Sequence, residues 1–168
     1  MAFALRQLTR DDAAAFHALR MELLSLHPES FGTAATEHAA QGLETSAERL
    51  ATEAVVGGFV EGELVGIASL MRQPRMKERH KGMLRGMYVR RSSRGSGLSD
   101  AIVEWILDRA RADGIEQVHL TVVADNARAR RLYDRWGFTV YGIEPRAFKM
   151  DGRYYDQALM VRLFDGDT

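Results

Sequence analysis

Two short stretches of this sequence carry residue types suited to holding a long anionic ligand. The first is Arg94-Gly95-Ser96-Gly97-Leu98-Ser99, where two glycines stand between a cation and an apolar-periodic run. A helix N-terminus presents unpaired N–H groups and a partial positive charge, and glycine lets those groups approach an anion without an intervening Cβ. Strand, glycine turn and helix in succession therefore make an anion site. Arg90, Arg91 and Arg94 add positive charge. The spacing is neither the Gly-x-Gly-x-x-Gly of dinucleotide folds nor the Gly-Lys-Ser/Thr of a P-loop, so the stretch alone also suits an ordinary turn.

The second stretch runs from Asn126, the only asparagine in the chain, through Ala129 to Tyr133. On a helix this spacing puts Asn126 and Tyr133 near one face, about 10 Å apart along the axis, with a small alanine between them. Such a face can carry a thin ligand, held by an amide at one point and a phenol at another. Asn126 equally suits a helix cap, and Tyr133 suits a core position beside Leu132 and Trp136.

These stretches need elements to hold them. "FALRQL" alternates as a strand, and Thr9 with Asp12 has capping-box spacing ahead of a helix bearing Phe16, Leu19, Leu23 and Leu24. The segment "SFGTAATEHAAQGLETSAERLA" reads as a loop leading to a helix around Ser46 to Ala51. "AVVGGFVEGELVGIASLMR" reads as two strands turning at Glu61-Gly62-Glu63, "QPRMKERHKG" as a basic loop and "MLRGMYV" as a third strand. A helix follows from Leu98 to a stop at Gly114. Then come the strand "EQVHLTVV", a helix from Asn126 to Gly137, and the strands "TVYGIE" and "RYYDQALMVRLF". The order β-α-α-β-β-β-α-β-α-β-β predicts an α/β protein, a mixed sheet flanked by helices.

The 168 residues suit one domain over residues 1–168. There is no cysteine, which removes disulfides, thiolate metal sites and cysteine nucleophiles. No apolar run has the length of a membrane span, and the N-terminus turns charged too early for a secretory signal, so the cytoplasm is the expected compartment. Net charge is zero, yet nine Lys and Arg lie between Arg72 and Arg94 against one acid, Glu78. That layout favours a local anion site, or a solvated basic loop, over a nucleic-acid coat; Tyr88 is the one aromatic interleaved there.

Taken together, the two stretches resemble the GNAT superfamily of acetyl-CoA-dependent N-acetyltransferases. The resemblance covers most of the chain in the right order, and is strongest from about Met83 to Phe138. The family's pyrophosphate loop, Gln/Arg-x-x-Gly-x-Gly/Ala, is matched by Arg94-x-x-Gly97-x-Ser99 with serine in the last place, or by Ser92-x-x-Gly95-x-Gly97 with serine in the first. The resemblance implies a mostly antiparallel sheet of about seven strands containing a splayed parallel pair. It implies acetyl-CoA as cofactor, leaving as CoA, with no metal. Met87, Tyr88 and Val89 would line the pantetheine, with the Met87 N–H at the thioester oxygen. Arg94, Gly95, Ser96, Gly97, Leu98 and Ser99 would hold the pyrophosphate, Asn126 would bond the pantetheine, and Tyr133 would stand near the sulfur. Met87 and Tyr133 are the implied catalytic groups.

The chemistry then follows from pKa values. An alkyl amine with pKa near ~10.4 must lose a proton before attacking the thioester, charge develops on the carbonyl oxygen, and a phenol can protonate the departing thiolate. With no cysteine, direct attack in a ternary complex is expected. Glu37, His80, Glu144 and Asp156 are the candidate bases, each equally readable as a surface polar residue. Phe31, Glu37 and one of Tyr154 and Tyr155 are placed to shape the acceptor pocket, with Tyr155 taken as the inward one. The expected partner is a small-molecule or peptide amine; a protein N-terminus or lysine, or CoA binding without turnover, are the alternatives. Neither nucleic acid nor membrane is expected, and a homodimer is left open.

Overall fold

Successive residues of a strand face opposite sides of its sheet, so a strand apolar at every position must be covered on both faces. Val55 and Val56, and Ile67 and Ala68, are such neighbours, and all four are buried. In the computed structural model, which describes residues 2–164, they belong to a single seven-stranded sheet. Its strands are β1 (Ala4–Gln7), β2 (Ala54–Val60), β3 (Glu63–Arg72), β4 (Lys81–Val89), β5 (Gln117–Val123), β6 (Thr139–Met150) and β7 (Arg153–Leu163), in the spatial order β1-β2-β3-β4-β5-β7-β6. Every neighbouring pair is antiparallel except β4 and β5.

Four helices cover the sheet: α1 (Ala13–Leu26), α2 (Ala35–Thr52), α3 (Leu98–Ala112) and α4 (Ala127–Arg135). Ile102, Val103, Ile106 and Leu107 of α3 pack with Val56, Ala68, Leu70, Leu84 and Val118. On the other face Phe16, Leu19, Leu23 and Leu24 of α1, with Leu50 of α2, pack against Val55, Ile67 and Tyr88. The element order and the mostly antiparallel sheet with one parallel pair are those expected from the sequence. Thr9 and Asp12 do form a capping box, the Asp12 carboxylate accepting the Thr9 N–H at 2.8 Å.

Two elements are longer than their sequence pattern predicts. Helix α2 starts at Ala35 rather than near Ser46, with a break at Gly42, where φ is +74°. Its first half buries only His38, so no apolar stripe announces it. Strand β6 continues past Glu144 through Pro145. The pairing with β7 is shifted between Glu144 and Phe148, and a proline is tolerated at such an irregularity because no ladder donor is needed there.

The feature that positions the site is where β4 and β5 cease to pair. They are joined only at Lys81–Gln117, Gly82–Val118 and Met83–His119. Beyond these, β4 pairs with β3 alone and β5 with β7 alone. Ile67 of β3 lies opposite Tyr88 and Ser69 opposite Arg85, so β4 carries a bulge over Gly86 and Met87. Gly86 has φ +65°, a conformation that glycine adopts without a Cβ penalty, and such a bulge bends and twists its strand.

Candidate functional site

A cleft of about 880 Å³ occupies the gap between the separated ends of β4 and β5. Met87 and Val89 form its β4 wall, Val123 its β5 wall, and Asn126, Ala129, Leu132 and Tyr133 its α4 wall. Gly95, Gly97 and Ser99 close one end; Phe31 and Tyr155 stand at the other.

The glycine turn is held by its own serines. Ser96 donates its hydroxyl to the Ser93 carbonyl at 2.6 Å and accepts the Leu98 N–H at 3.4 Å. Gly95 and Gly97 have φ of +80° and +89°, and a Cβ on either would meet no atom within 4 Å. The space above the turn is therefore open, and among the described residues no side chain beyond Ser96 caps the N-terminus of α3. Unclaimed N–H groups, a helix dipole and an open face are what an anionic group requires. Arg94 donates through Nε to the Val89 carbonyl at 3.0 Å, tying the turn to β4. Burial, with Arg128 and Arg91 nearby, lowers the Arg94 pKa. Asp100, in the first turn of α3, would repel an anion if left free. Instead it accepts from Nη2 of Arg135 at 3.1 Å and from Nε1 of Trp136 at 2.8 Å, which also pins α3 to α4.

On α4, Asn126 is both cap and cleft wall. Its Oδ1 accepts the Ala129 N–H at 3.1 Å, which leaves its amide N–H groups for a ligand. Asn126→Ala is expected to cost about 1 kcal/mol through the lost cap, read as a drop of a few degrees in Tm. Tyr133 is 6% exposed and meets Phe138 edge-on at 5.7 Å. Burial alone pushes its phenol well above the ordinary value, so the group holds its proton at neutral pH.

The remaining sequence candidates divide. Leu98 is fully buried in the core and offers only its backbone, and the Ser96 hydroxyl is turned into the loop. The Tyr88 hydroxyl donates to Glu22 at 3.1 Å, on the α1 side of the sheet. Phe31 and Tyr155 reach the cleft; Tyr154 instead lies outward under Arg146 and Lys149. Glu37 accepts the Ala34 N–H at 3.3 Å at the start of α2. His80 sits at the paired end of β4, its carbonyl accepting the Glu116 N–H. Glu144 pairs across from Gln157, and Asp156 accepts the Arg146 N–H at 2.8 Å. None of these four lines the cleft.

Several cleft residues were not anticipated. Arg128, Arg131 and Arg135 project from α4 into its wall, and their spacing of three and four is the helical signal that could have shown them. His27 and Glu29, in the turn after α1, carry no such signal.

The sequence profile of the acetyltransferase (GNAT) family matches residues 16–138. The L-methionine sulfoximine/L-methionine sulfone acetyltransferase of Pseudomonas aeruginosa is 31% identical over 107 residues, covering 63% of this chain and 62% of that protein. The chain thus spans less than two thirds of that relative's length. Among solved structures, a GNAT-family acetyltransferase from Streptococcus pneumoniae superposes with a TM-score of 0.86 at 24% identity, over 96% of this chain and 99% of its own. The Salmonella typhimurium yncA, described as a putative acetyltransferase with its cofactor acetyl-CoA, gives 0.84 at 22% identity, over 100% and 97%.

Proposed function

The chain belongs to the acetyltransferase (GNAT) family of acyltransferase enzymes, and from that premise we propose that it moves the acetyl group of acetyl-CoA directly to the amine of a small molecule, as one domain over residues 1–168. The observation that carries this reading is the unpaired gap between β4 and β5, with an open glycine turn at one end and a buried phenol in its wall.

The residues present fit the ligand. A pyrophosphate needs several N–H donors on an open face, and the turn from Arg94 to Ser99 supplies them at the start of α3. Arg128 and Arg131 of α4 add charge for a further phosphate. A pantetheine arm is a chain of amides, and the β4 edge that faces away from β3 at Met87 and Tyr88, with the N–H of Val89, can bond it as a strand would. Asn126 adds its side-chain amide.

When bound, the thioester supplies an activated acyl group; the protein's part is to orient it and manage charge and protons. Met87 lies in the bulge with no residue paired opposite it on β3, and its N–H is suited to the carbonyl oxygen as negative charge grows there. Tyr133 holds a proton to give to the departing sulfur. Of the polar side chains near Phe31 in the cleft, the His27 imidazole or the Glu29 carboxylate takes the proton of the incoming amine. The named activity of the Pseudomonas relative, on amino-acid analogues, supports a small-molecule acceptor.

Acetyl-CoA at a hundred times its Kd should stabilise the fold by about 2.7 kcal/mol, which for a chain of this size raises Tm by roughly 5–10 °C. An unmoved Tm at saturating acetyl-CoA would overturn the reading. A thiol-release screen over amines, amino acids and peptides then separates small-molecule transfer from peptide transfer and from binding without turnover.

A further inference from the structure

An acid at the third position after a helix N-cap can turn back and accept the N-cap's own N–H. Asp12, in the turn leading into α1, accepts the Thr9 N–H in this way at 2.8 Å, and Glu37 of α2 accepts the Ala34 N–H at 3.3 Å. Glu78, third in a short turn after β3, is claimed instead by Lys81 at 3.0 Å. Asp100 holds the same third place in α3, after the N-cap Gly97. Its carboxylate is drawn off to α4. Nη2 of Arg135 donates to both its oxygens at 3.1 Å, and Nε1 of Trp136 donates to Oδ1 at 2.8 Å.

The direction matters because of what α3 opens on. Gly97, Ser99, Asp100 and Arg135 all line the cleft at the glycine turn. A diphosphate placed there needs the N–H groups and the positive end of the helix. A carboxylate left free in the first turn would take one of those N–H groups or cancel that end. Gly97 is left-handed where Thr9 and Ala34 are extended, so cancellation of charge weighs here beside competition for the N–H. Stability alone gives little reason for the pair, since an ion pair whose side chains are 58% and 41% exposed adds little to it. The indole is better fixed: Trp136 packs against the core that α3 covers, which sets the position of its N–H.

We propose that Arg135 and Trp136 are positioning residues for coenzyme binding, a latch that withdraws Asp100 from the glycine turn and leaves the start of α3 free for the diphosphate. The latch rests on the transferase reading above. It also joins the helix that opens on the diphosphate to the helix that carries Tyr133 and is capped by Asn126. One contact thus ties two walls of the cleft and clears the anion's place. Arg135 acts through Asp100, while Arg128 and Arg131 remain for direct contact with phosphate.

The test is the Kd for acetyl-CoA, by isothermal titration, across a set of variants. Arg135→Gln with Trp136→Phe should raise it about tenfold or more, the scale of one charge-assisted bond to phosphate. Adding Asp100→Ala to that pair should bring Kd back to within about threefold of wild type. The recovery separates a latch from a brace, because removing one more side chain from a merely structural contact would deepen the loss. Trp136→Phe alone keeps a ring against the core and takes no charge from the cleft. It is the variant to use should the pair not fold, with a loss of about threefold and the same recovery expected. A Kd unmoved by release of the latch, or a loss that Asp100→Ala leaves in place, would overturn the proposal. If acetyl-CoA does not bind the wild-type protein, the transferase reading falls and the latch with it. Equal binding to wild type and to every folded variant sinks the latch alone.

Discussion

Tyr133→Phe is expected to lower kcat about a hundredfold, or more, while leaving the Kd for acetyl-CoA within about twofold. The substitution removes one oxygen and keeps the ring. The ring makes the edge contact with Phe138 and shares the core with Leu132 and Trp136, so the wall of the cleft should keep its shape. What is lost is the proton. A departing thiolate has a conjugate pKa near ~8.5, and a neutral phenol beside it is a donor that water in a narrow cleft replaces poorly. Burial keeps the Tyr133 phenol protonated, so its ionisation should put no alkaline limb on the wild-type kcat profile below about pH 10. Isothermal titration gives Kd, and thiol release gives kcat. An unchanged kcat would remove the proton-donor role; a collapse of Kd with an unchanged kcat would make Tyr133 a binding residue only.

Gly97→Val should weaken acetyl-CoA binding by about a hundredfold to a thousandfold, for two reasons that act together. Gly97 sits at φ +89°, where a β-branched residue is strained by roughly 1–3 kcal/mol, so the first turn of α3 must shift to relieve it. The shifted N–H groups then lose charge-assisted bonds to phosphate, each worth about 1.5–3 kcal/mol. Valine would also place carbon in the open face where the anion belongs. Gly58→Ala separates this from mere damage to α3. A Cβ there would press to 2.7 Å on Leu98, straining the packing of the same helix from below. That variant should lose stability and retain its Kd at temperatures where it is folded. Wild-type affinity in Gly97→Val would refute the cradle.

Most of the fold was legible because its elements announce themselves locally. Strands β2 and β3 are continuous apolar runs, and α3 repeats Leu98, Ile102, Ile106 at the spacing of one face. The first half of α2 stayed hidden because it buries a histidine where a leucine would be diagnostic. At the site, the same contrast holds. Gly95, Gly97, Asn126 and Tyr133 lie in two short stretches whose spacing already places them, and the cleft contains all four. Glu37, His80, Glu144 and Asp156 have the right residue types but no motif spacing that fixes them, and a backbone donor or a strand position away from the cleft claims each. His27 and Glu29 come from the turn after α1, far in sequence from β4 and α4, and only the packing of α1 on the sheet brings them to the cleft. Spacing carries no information about such a convergence.

The three rungs between β4 and β5 also bear on how the molecule holds together mechanically. Strands β1 to β4 form one continuous ladder and β5 to β7 another, and three residue pairs stitch the two into one sheet, reinforced by α3 lying across. Any extended molecule lodged in the gap and bonded to β4 would act as a replacement strand, transmitting across the seam the stiffness that the missing rungs do not. Its arrival would rivet the two plates and its departure would unfasten them. Turnover in such a protein then alternates between a braced and a slack sheet, and the slowest step of the cycle can lie in undoing backbone bonds at the seam rather than in the chemistry.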